Sequence, residues 1–262
     1  MNLDLTGKTA LVCGSTQGIG KASALELAAL GATVYLCARD EAKLKSVLGE
    51  LDKSKGQQHD YLVADFSDTS QVHDRINAFV AKKGVINIVV NNTGGPAGGP
   101  ITEAKPEDFL HAFNNHLINN HSIVRATLNG MKTAGYGRII NIISTSVKMP
   151  LPNLGVSNTI RAAVANWSKT LANEVGKFNI TVNNVLPGAT NTGRLQQIAA
   201  TKSDKTGTKI EDVFNHMASE VPMGRIGEPH EVAAAVAFLA SPAASYINGI
   251  NLPVDGGRTG NL

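Results

Sequence analysis

Seven short apolar runs alternate with longer helical stretches along the whole chain, and that alternation leaves few folds open. The runs are TALVCG (9–14), TVYLCA (33–38), HDYLVAD (59–65), NIVVNN (87–92), RIINIIS (138–144), TVNNVLPG (181–188) and INLPVDGG (250–257). Helical stretches lie between them, at roughly 18–30, 40–55, 68–83, 106–134, 155–177 and 228–240. Runs this apolar suit strands covered on both faces, and strand–helix alternation implies a parallel sheet with helices on each side.

Right-handed crossovers then give an α/β fold, a doubly wound (Rossmann-type) parallel sheet of about seven strands flanked by helices. No repeat, low-complexity tract or linker breaks the pattern, so residues 1–262 are expected to form a single domain. One stretch departs from the rhythm. Residues 189–227 are polar, rich in Thr, Lys and Gly, and follow a strand ending in Pro187-Gly188. Ligands of such sheets bind outside the carboxyl ends of the strands, where this segment starts, so it is expected to act as a substrate-side lid.

Composition removes several function classes. Hydrophobic residues at 42% and charged residues at 17% are globular values that exclude disorder and coiled coils. A net charge of +3, from 24 basic and 21 acidic side chains, is too balanced to argue for nucleic acid. No apolar run approaches the ~20 residues that span a bilayer, and MNLDLTGK lacks the apolar core of a secretion signal. A cytoplasmic protein with no membrane partner is the expectation. Cys13 and Cys37 lie in strand-like runs and are expected to be buried and reduced. His73, His111, His121, His216 and His230 show no ligand-like spacing, so no metal is expected.

The segment CGSTQGIGKA (13–22) places Gly14, Gly18 and Gly20 between the first strand and an amphipathic helix. Glycines there allow a tight turn and close approach of a pyrophosphate to the positive end of the helix. The second strand ends Cys37-Ala38-Arg39-Asp40. An acidic residue at that point binds the free ribose 2′-hydroxyl of NAD, whereas an Arg accommodates the 2′-phosphate of NADP. Ala38 followed by Arg39 favours NADP(H) over NAD(H), with Asp40 available as an N-cap.

The chain resembles the short-chain dehydrogenase/reductase family, and within it is similar to the 3-oxoacyl-acyl carrier protein reductases. The resemblance runs from about residue 5 to 257. Gly14-x-x-x-Gly18-Ile19-Gly20 resembles the family's cofactor loop, with Ser15 and Thr16 inside it. Asp65-Phe66 resembles the acid-plus-apolar pair that flanks adenine. Asn91-Asn92-Thr93-Gly94 resembles Asn-Asn-Ala-Gly, and Pro187-Gly188 through Thr190 and Thr192 resembles the segment beside the nicotinamide. The ending Ile247-Asn248-Gly249 to Val254-Asp255-Gly256-Gly257 resembles the last strand. The resemblance implies an NADP(H)-dependent oxidoreductase that reduces a small carbonyl, 3-oxoacyl-like compounds included, or oxidises an alcohol. It also implies a homo-oligomer, a dimer of dimers built on the helices at 106–134 and 155–177.

The implied catalytic set departs from the family's pattern. Counting from Gly137-Arg138-Ile139-Ile140, the family Ser falls on Ser144, its Tyr on Ser157, its Lys on Arg161 and its Asn on His116. Asn114 and Asn115 are near enough for a helix-register slip to restore an Asn. A Ser hydroxyl is a far weaker acid than a phenol, and Arg does not pass protons as Lys does. Arg161 could still donate to the nicotinamide ribose. Lys148, four residues after Ser144, and His116, titrating near neutrality, are the replacement acids the sequence offers. Two other readings stay open: an inactive NADP(H)-binding sensor or regulatory module, and a structural subunit that pairs with an active homologue.

Overall fold

The computed structural model describes residues 1–260. Seven strands are joined by helices: β1 (Thr9–Cys13), β2 (Thr33–Ala38), β3 (Asp60–Val63), β4 (Ile88–Asn91), β5 (Gly137–Ile142), β6 (Ile180–Pro187) and β7 (Asn251–Val254). The helices are α1 (Gly18–Ala29), α2 (Glu41–Glu50), α3 (Thr69–Lys83), α4 (Pro106–Phe113), α5 (Asn119–Ala134), α6 (Gly155–Val175), α7 (Gly193–Thr206), α8 (Ile210–Ser219) and α9 (Pro229–Ala240). The strands form one sheet in the order β3-β2-β1-β4-β5-β6-β7, and all pairings are parallel. The chain winds outward from β1 to β3, then returns to the other side of β1 at β4. That reversal opens a crevice at the carboxyl ends of β1 and β4, the position where ligands of doubly wound sheets bind.

Strand alternation explains why both faces are apolar. Ala10 and Val12 of β1, Ile88 and Val90 of β4, and Ile140 and Ile142 of β5 pack with α1 and α9 on one face. Leu11, Cys13, Val89 and Ile139 point to the opposite layer, with Ile76 of α3 and Ile123 of α5. Cys13 and Cys37 are register partners on adjacent strands, and both are buried with free thiols.

One feature of the central sheet is polar. Asn91, Asn141, Asn184 and Asn251 occupy matching register positions on β4, β5, β6 and β7. Asn91 Nδ2 donates to Asn141 Oδ1 at 2.8 Å, Asn141 Nδ2 to Asn184 Oδ1 at 3.0 Å, and Asn184 Nδ2 to Asn251 Oδ1 at 2.8 Å. Ser168 of α6 closes the row, accepting from Asn141 at 2.6 Å and donating to Asn184 Oδ1 at 2.7 Å. A slip of one residue would bury these amides against apolar neighbours, so the row fixes the register of four strands.

Two regions differ from the sequence expectation. The stretch 106–134 is not one α-helix, because a π-helical turn at Asn114–Ile118 separates α4 from α5. No helix-breaking residue sits there. The helical dihedrals continue through it, and the turn adds one residue to the helical path. The polar stretch 189–227 carries α7 and α8, whose sparse apolar residues bury only at Ala199 and Val213. No described helix is long and apolar enough to cross a membrane.

The amide row makes a direct prediction. Asn141→Ala leaves Asn91 Nδ2 without a partner and removes one bond each from Ser168 and Asn184, which keep their bond to each other, so urea unfolding should show a loss on the order of 2 kcal/mol. A loss below about 1 kcal/mol would mean that the row does not hold the sheet.

Candidate active-site cleft

A single cleft of about 580 Å³ runs along the carboxyl ends of the central strands, from Arg39 and Asp65 at one end to Ser144, Ser157 and Arg161 at the other. Its first half is built from the turn between β1 and α1. Gly14 and Gly18 both adopt positive φ, +59° and +53°. A Cβ on Gly20 would stand 2.2 Å from the Gly14 carbonyl oxygen and 2.6 Å from Asn92 Nδ2, so only glycine fits. Asn92 Nδ2 donates to the carbonyls of Cys13 and Gly14, both at 3.3 Å, and ties the turn to the end of β4.

The amino end of α1 is open in a way that the neighbouring helices are not. Asp40 caps α2 by accepting from Lys43 N at 3.1 Å, and Asp68 caps α3 by accepting from Gln71 N at 3.0 Å. Gln17, the N-cap of α1, makes no side-chain cap bond, and no acid lies in the first turn. Its free N–H groups and helix dipole therefore face the cleft without a protein partner, as a pyrophosphate requires. Thr16, Gly18 and Ile19 line this half with Gly14, and Gly94 lines the opposite wall. Ser15 and Gly20 sit behind the lining. Ser15 is fully buried, and its Oγ accepts from Cys37 N at 3.0 Å, anchoring the turn to β2.

At the adenosine end Arg39 is exposed and Phe66 lies beside it in the wall. The Ser67 backbone and hydroxyl bonds, at 3.0 and 2.9 Å, hold the Asp65 carboxyl below the usual carboxylate range, helped by Arg39. Asn119 Nδ2 donates to Phe66 O at 2.7 Å and fixes this corner to α5. A glycine cradle, an uncapped helix and an exposed Arg fit a phosphorylated dinucleotide.

The second half gathers side chains from β5, α6 and the start of α7. Ser144 caps a 3₁₀ turn, its Oγ accepting from Ser146 N at 3.1 Å. Because that bond uses a lone pair, the Ser144 hydroxyl proton remains free to donate. Ser157 lies in the first turn of α6, and Arg161 follows one turn later. Arg161 is only 8% exposed, and Nη1 donates to Ile142 O at 3.1 Å. Burial, reinforced by Arg194, lowers its pKa to about 10, so it stays charged at neutral pH. Pro187, Gly188, Thr190 and Thr192 form the adjoining wall. A Cβ on Gly188 would stand 2.7 Å from Asp255 Cβ, so this wall packs against the end of β7.

Three expected site residues lie elsewhere. Asn91 is buried, and its amide nitrogen bonds Asn141 in the row below the cleft; Asn92 is the residue that lines it. Lys148 ends the 3₁₀ turn at Thr145–Val147 and is not among the lining residues, because the turn carries it past Ser144. His116 is 2% exposed and shares a 2.5 Å hydrogen bond between Nδ1 and Thr93 Oγ1. Burial, then the charges of Arg161 and His111, lower its pKa to about 2, so it is neutral and cannot serve as an acid near pH 7.

The π turn has a second effect. It points His116 at Thr93 while Asn115, one residue earlier, reaches the cleft, so an Asn is brought there by a change of helical register. Asn115 Oδ1 is buried without a protein partner.

A family model described as Enoyl-(Acyl carrier protein) reductase matches residues 14–259. The chain belongs to the short-chain dehydrogenase/reductase family. It is 35% identical over 250 residues to the granaticin polyketide synthase putative ketoacyl reductase 1 of Streptomyces violaceoruber, covering 95% of this chain and 92% of that one. It is 37% identical over 256 residues to a 3-oxoacyl-[acyl-carrier-protein] reductase of Haemophilus influenzae, covering 97% and 98%. The structure of L-sorbose reductase from Gluconobacter frateurii, complexed with NADPH and L-sorbose, superposes with a TM-score of 0.93 at 30% identity, covering 100% of both chains.

Within this short-chain dehydrogenase/reductase, the Asn that a helix-register slip was expected to restore is Asn115, brought to the cleft by the π turn, whereas a second cleft cation, Arg194, escaped the sequence reading. Arg194 lies two residues after Thr192 and opens α7, with Nη2 donating to Pro96 O at 2.6 Å. The ends of the 189–227 excursion are stitched together, Gly227 N to Ala189 O at 2.9 Å and Asn191 N to Gly227 O at 2.8 Å. Thr192 caps α7 by accepting from Leu195 N at 3.3 Å, which brings this segment over Gly18.

Neutral His116 predicts an acid-sensitive fold. Unfolded His takes up a proton below about 6.5, whereas folded His116 does so only near 2, so stability is full above 6.5 and falls as the pH drops. The slope is about 1.4 kcal/mol per pH unit for this one group. Melting temperatures between about pH 6 and pH 4 should fall less steeply in His116→Gln than in the wild type. Parallel declines would show that His116 is not held neutral.

Proposed function

We propose that the protein is an NADP(H)-dependent oxidoreductase that reduces the carbonyl of a small ketone, 3-oxoacyl-like compounds included, or oxidises the corresponding alcohol. The carrying observation is the continuity of the cleft: the uncapped α1 terminus and Arg39 at one end share one cavity with Ser144, Ser157 and Arg161 at the other. Arg39 without an acid at the end of β2 supports NADP(H) over NAD(H), and it agrees with a similar fold that holds NADPH.

Bound NADPH supplies the hydride. Ser144 donates its free hydroxyl proton as a hydrogen bond to the carbonyl oxygen and polarises the carbon. Arg161 stands at the Lys position and Ser157 at the Tyr position of the family pattern. The Arg161 charge stabilises the alkoxide that develops, and its guanidinium can also grip the nicotinamide ribose. Ser157 donates a second hydrogen bond. No Tyr or Lys is among the residues that line the cleft, and His111 is the one imidazole there; the reading assigns the alkoxide's proton to water admitted through the open side, which returns hydroxide to the solvent. The α4 helix, packed beside α6, leaves Leu110 and Phe113 exposed, which supports an interface with a second copy on that face.

The test begins with binding. NADPH should raise the melting temperature more than NADH does, and Arg39→Ala should weaken NADPH binding by about tenfold, the loss of one charge-assisted contact. NADH binding as tight as NADPH binding would contradict the reading. With NADPH bound, a panel of ketones and 3-oxoacyl thioesters should be reduced, and Arg161→Met should slow turnover about 100-fold. NADPH binding with no ketone ever reduced would favour a sensor in place of an enzyme.

A further inference from the structure

The reaction proposed above leaves part of the cleft's charge unused. Asp65 is the single carboxylate among the lining residues, and it lies at the adenosine end beneath Ser67. At the opposite end two guanidiniums converge. Arg161 Nη2 lies 3.8 Å, and Arg194 Nε 4.0 Å, from the point where a Cβ on Gly95 would stand. Among the described residues, neither has a carboxylate within ion-pair distance.

The other buried arginine shows how this fold treats a structural charge. Arg138, 1% exposed, reaches the carbonyls of Gly137, Asn179 and Ser241 and stacks 4.1 Å from the Tyr136 ring centroid. Arg161, nearly as buried, donates to the Ile142 carbonyl alone and turns Nη2 toward Gly95. Arg194 uses Nη2 on Pro96 O and leaves Nε toward the same point. It is the second residue of α7, whose first turn holds no acid, so the helix dipole adds to the same positive field. A desolvated cation with most of its donors unused is costly unless an anion completes it.

We infer that Arg161 and Arg194 form a clamp across Gly95 for a carboxylate carried by the substrate itself, one or two carbons from the reacting carbonyl. The inference rests on the reductase reading and names its substrate class: a short 2- or 3-oxo acid, or the matching hydroxy acid. Ser157 lies one helical turn before Arg161, so the carbonyl and the anion it recognises sit close together. The planar guanidiniums suit the two oxygens of a carboxylate. A methyl ester or thioester of the same acid lacks the charge that the clamp holds.

The experiment compares NADPH-dependent reduction of pyruvate and acetoacetate with that of their methyl esters, in the wild type, Arg194→Gln and Arg194→Lys. The wild type should favour the acids at least tenfold in kcat/KM. Arg194→Gln should reduce that ratio at least tenfold, and Arg194→Lys should keep most of it. Malonate, which cannot be reduced, is the second probe: calorimetry should show it bound by wild type and lost in Arg194→Gln. That result upholds the clamp even if no ketone is turned over, an outcome that would sink only the reductase reading. An acid-to-ester ratio near one, or malonate bound by neither protein or equally by both, overturns the clamp. So does a tenfold weaker NADPH affinity in Arg194→Gln with the acid preference intact, which would assign the site to the cofactor's phosphate.

Discussion

The row of amides from Asn91 through Asn141 and Asn184 to Asn251 is the constraint on which the rest of the structure depends. Backbone pairing alone would tolerate a shifted register, but a shift here would leave several buried amide groups without partners. The row lies at or just before the carboxyl ends of β4 and β5, in the second half of β6 and at the first residue of β7. It therefore helps to set where the chain leaves the sheet at Asn92, Ile143 and Gly188, and those exits carry walls of the cleft. Ser168 extends the same constraint into α6 and so fixes the height at which Ser157 and Arg161 face Ser144.

Above that floor the cleft works by contrast in charge. The nucleotide half offers backbone N–H groups and the positive end of α1, with Asp40 and Asp68 already committed to neighbouring helices. The catalytic half offers the buried cation Arg161 with a single carbonyl partner. Burying it unpaired lowers stability, and a fold keeps such a cost where an anion, formed or bound, is to be met. A developing alkoxide and a substrate carboxylate are both charges of the sign this end lacks.

Much of this was legible in the sequence. Uninterrupted apolar runs report strands buried on both faces, and glycines directly after the first strand report a backbone that something must approach closely. Arg39 was readable because its place, the end of β2, follows from strand count alone. Other residues could not be read because their positions depend on local geometry. Asn91 is the last residue of β4 and Asn92 the first beyond it, so the choice between row and cleft turns on one residue of register. The π turn moves Asn115 into the cleft and withdraws His116 behind Thr93. A short 3₁₀ turn carries Lys148 past Ser144. Arg194 was hidden because a stretch with few apolar residues reads as loop, whereas it forms two helices, the first capped by Thr192, on a base stitched between Ala189 and Gly227.

The central claim is that a permanently charged Arg161, in place of a titrating acid, stabilises the alkoxide in this short-chain dehydrogenase/reductase. The pH dependence of kcat/KM for carbonyl reduction tests it most directly. Arg161 stays protonated until the pH nears about 10, and His116 stays neutral down to about 2, so neither titrates in the working range. The account predicts a flat profile from about pH 6 to about pH 9, with the rate falling only as Arg161 loses its proton above that. A decline with its midpoint between about pH 7 and about pH 9 would reveal a titrating acid in the cleft and contradict the account.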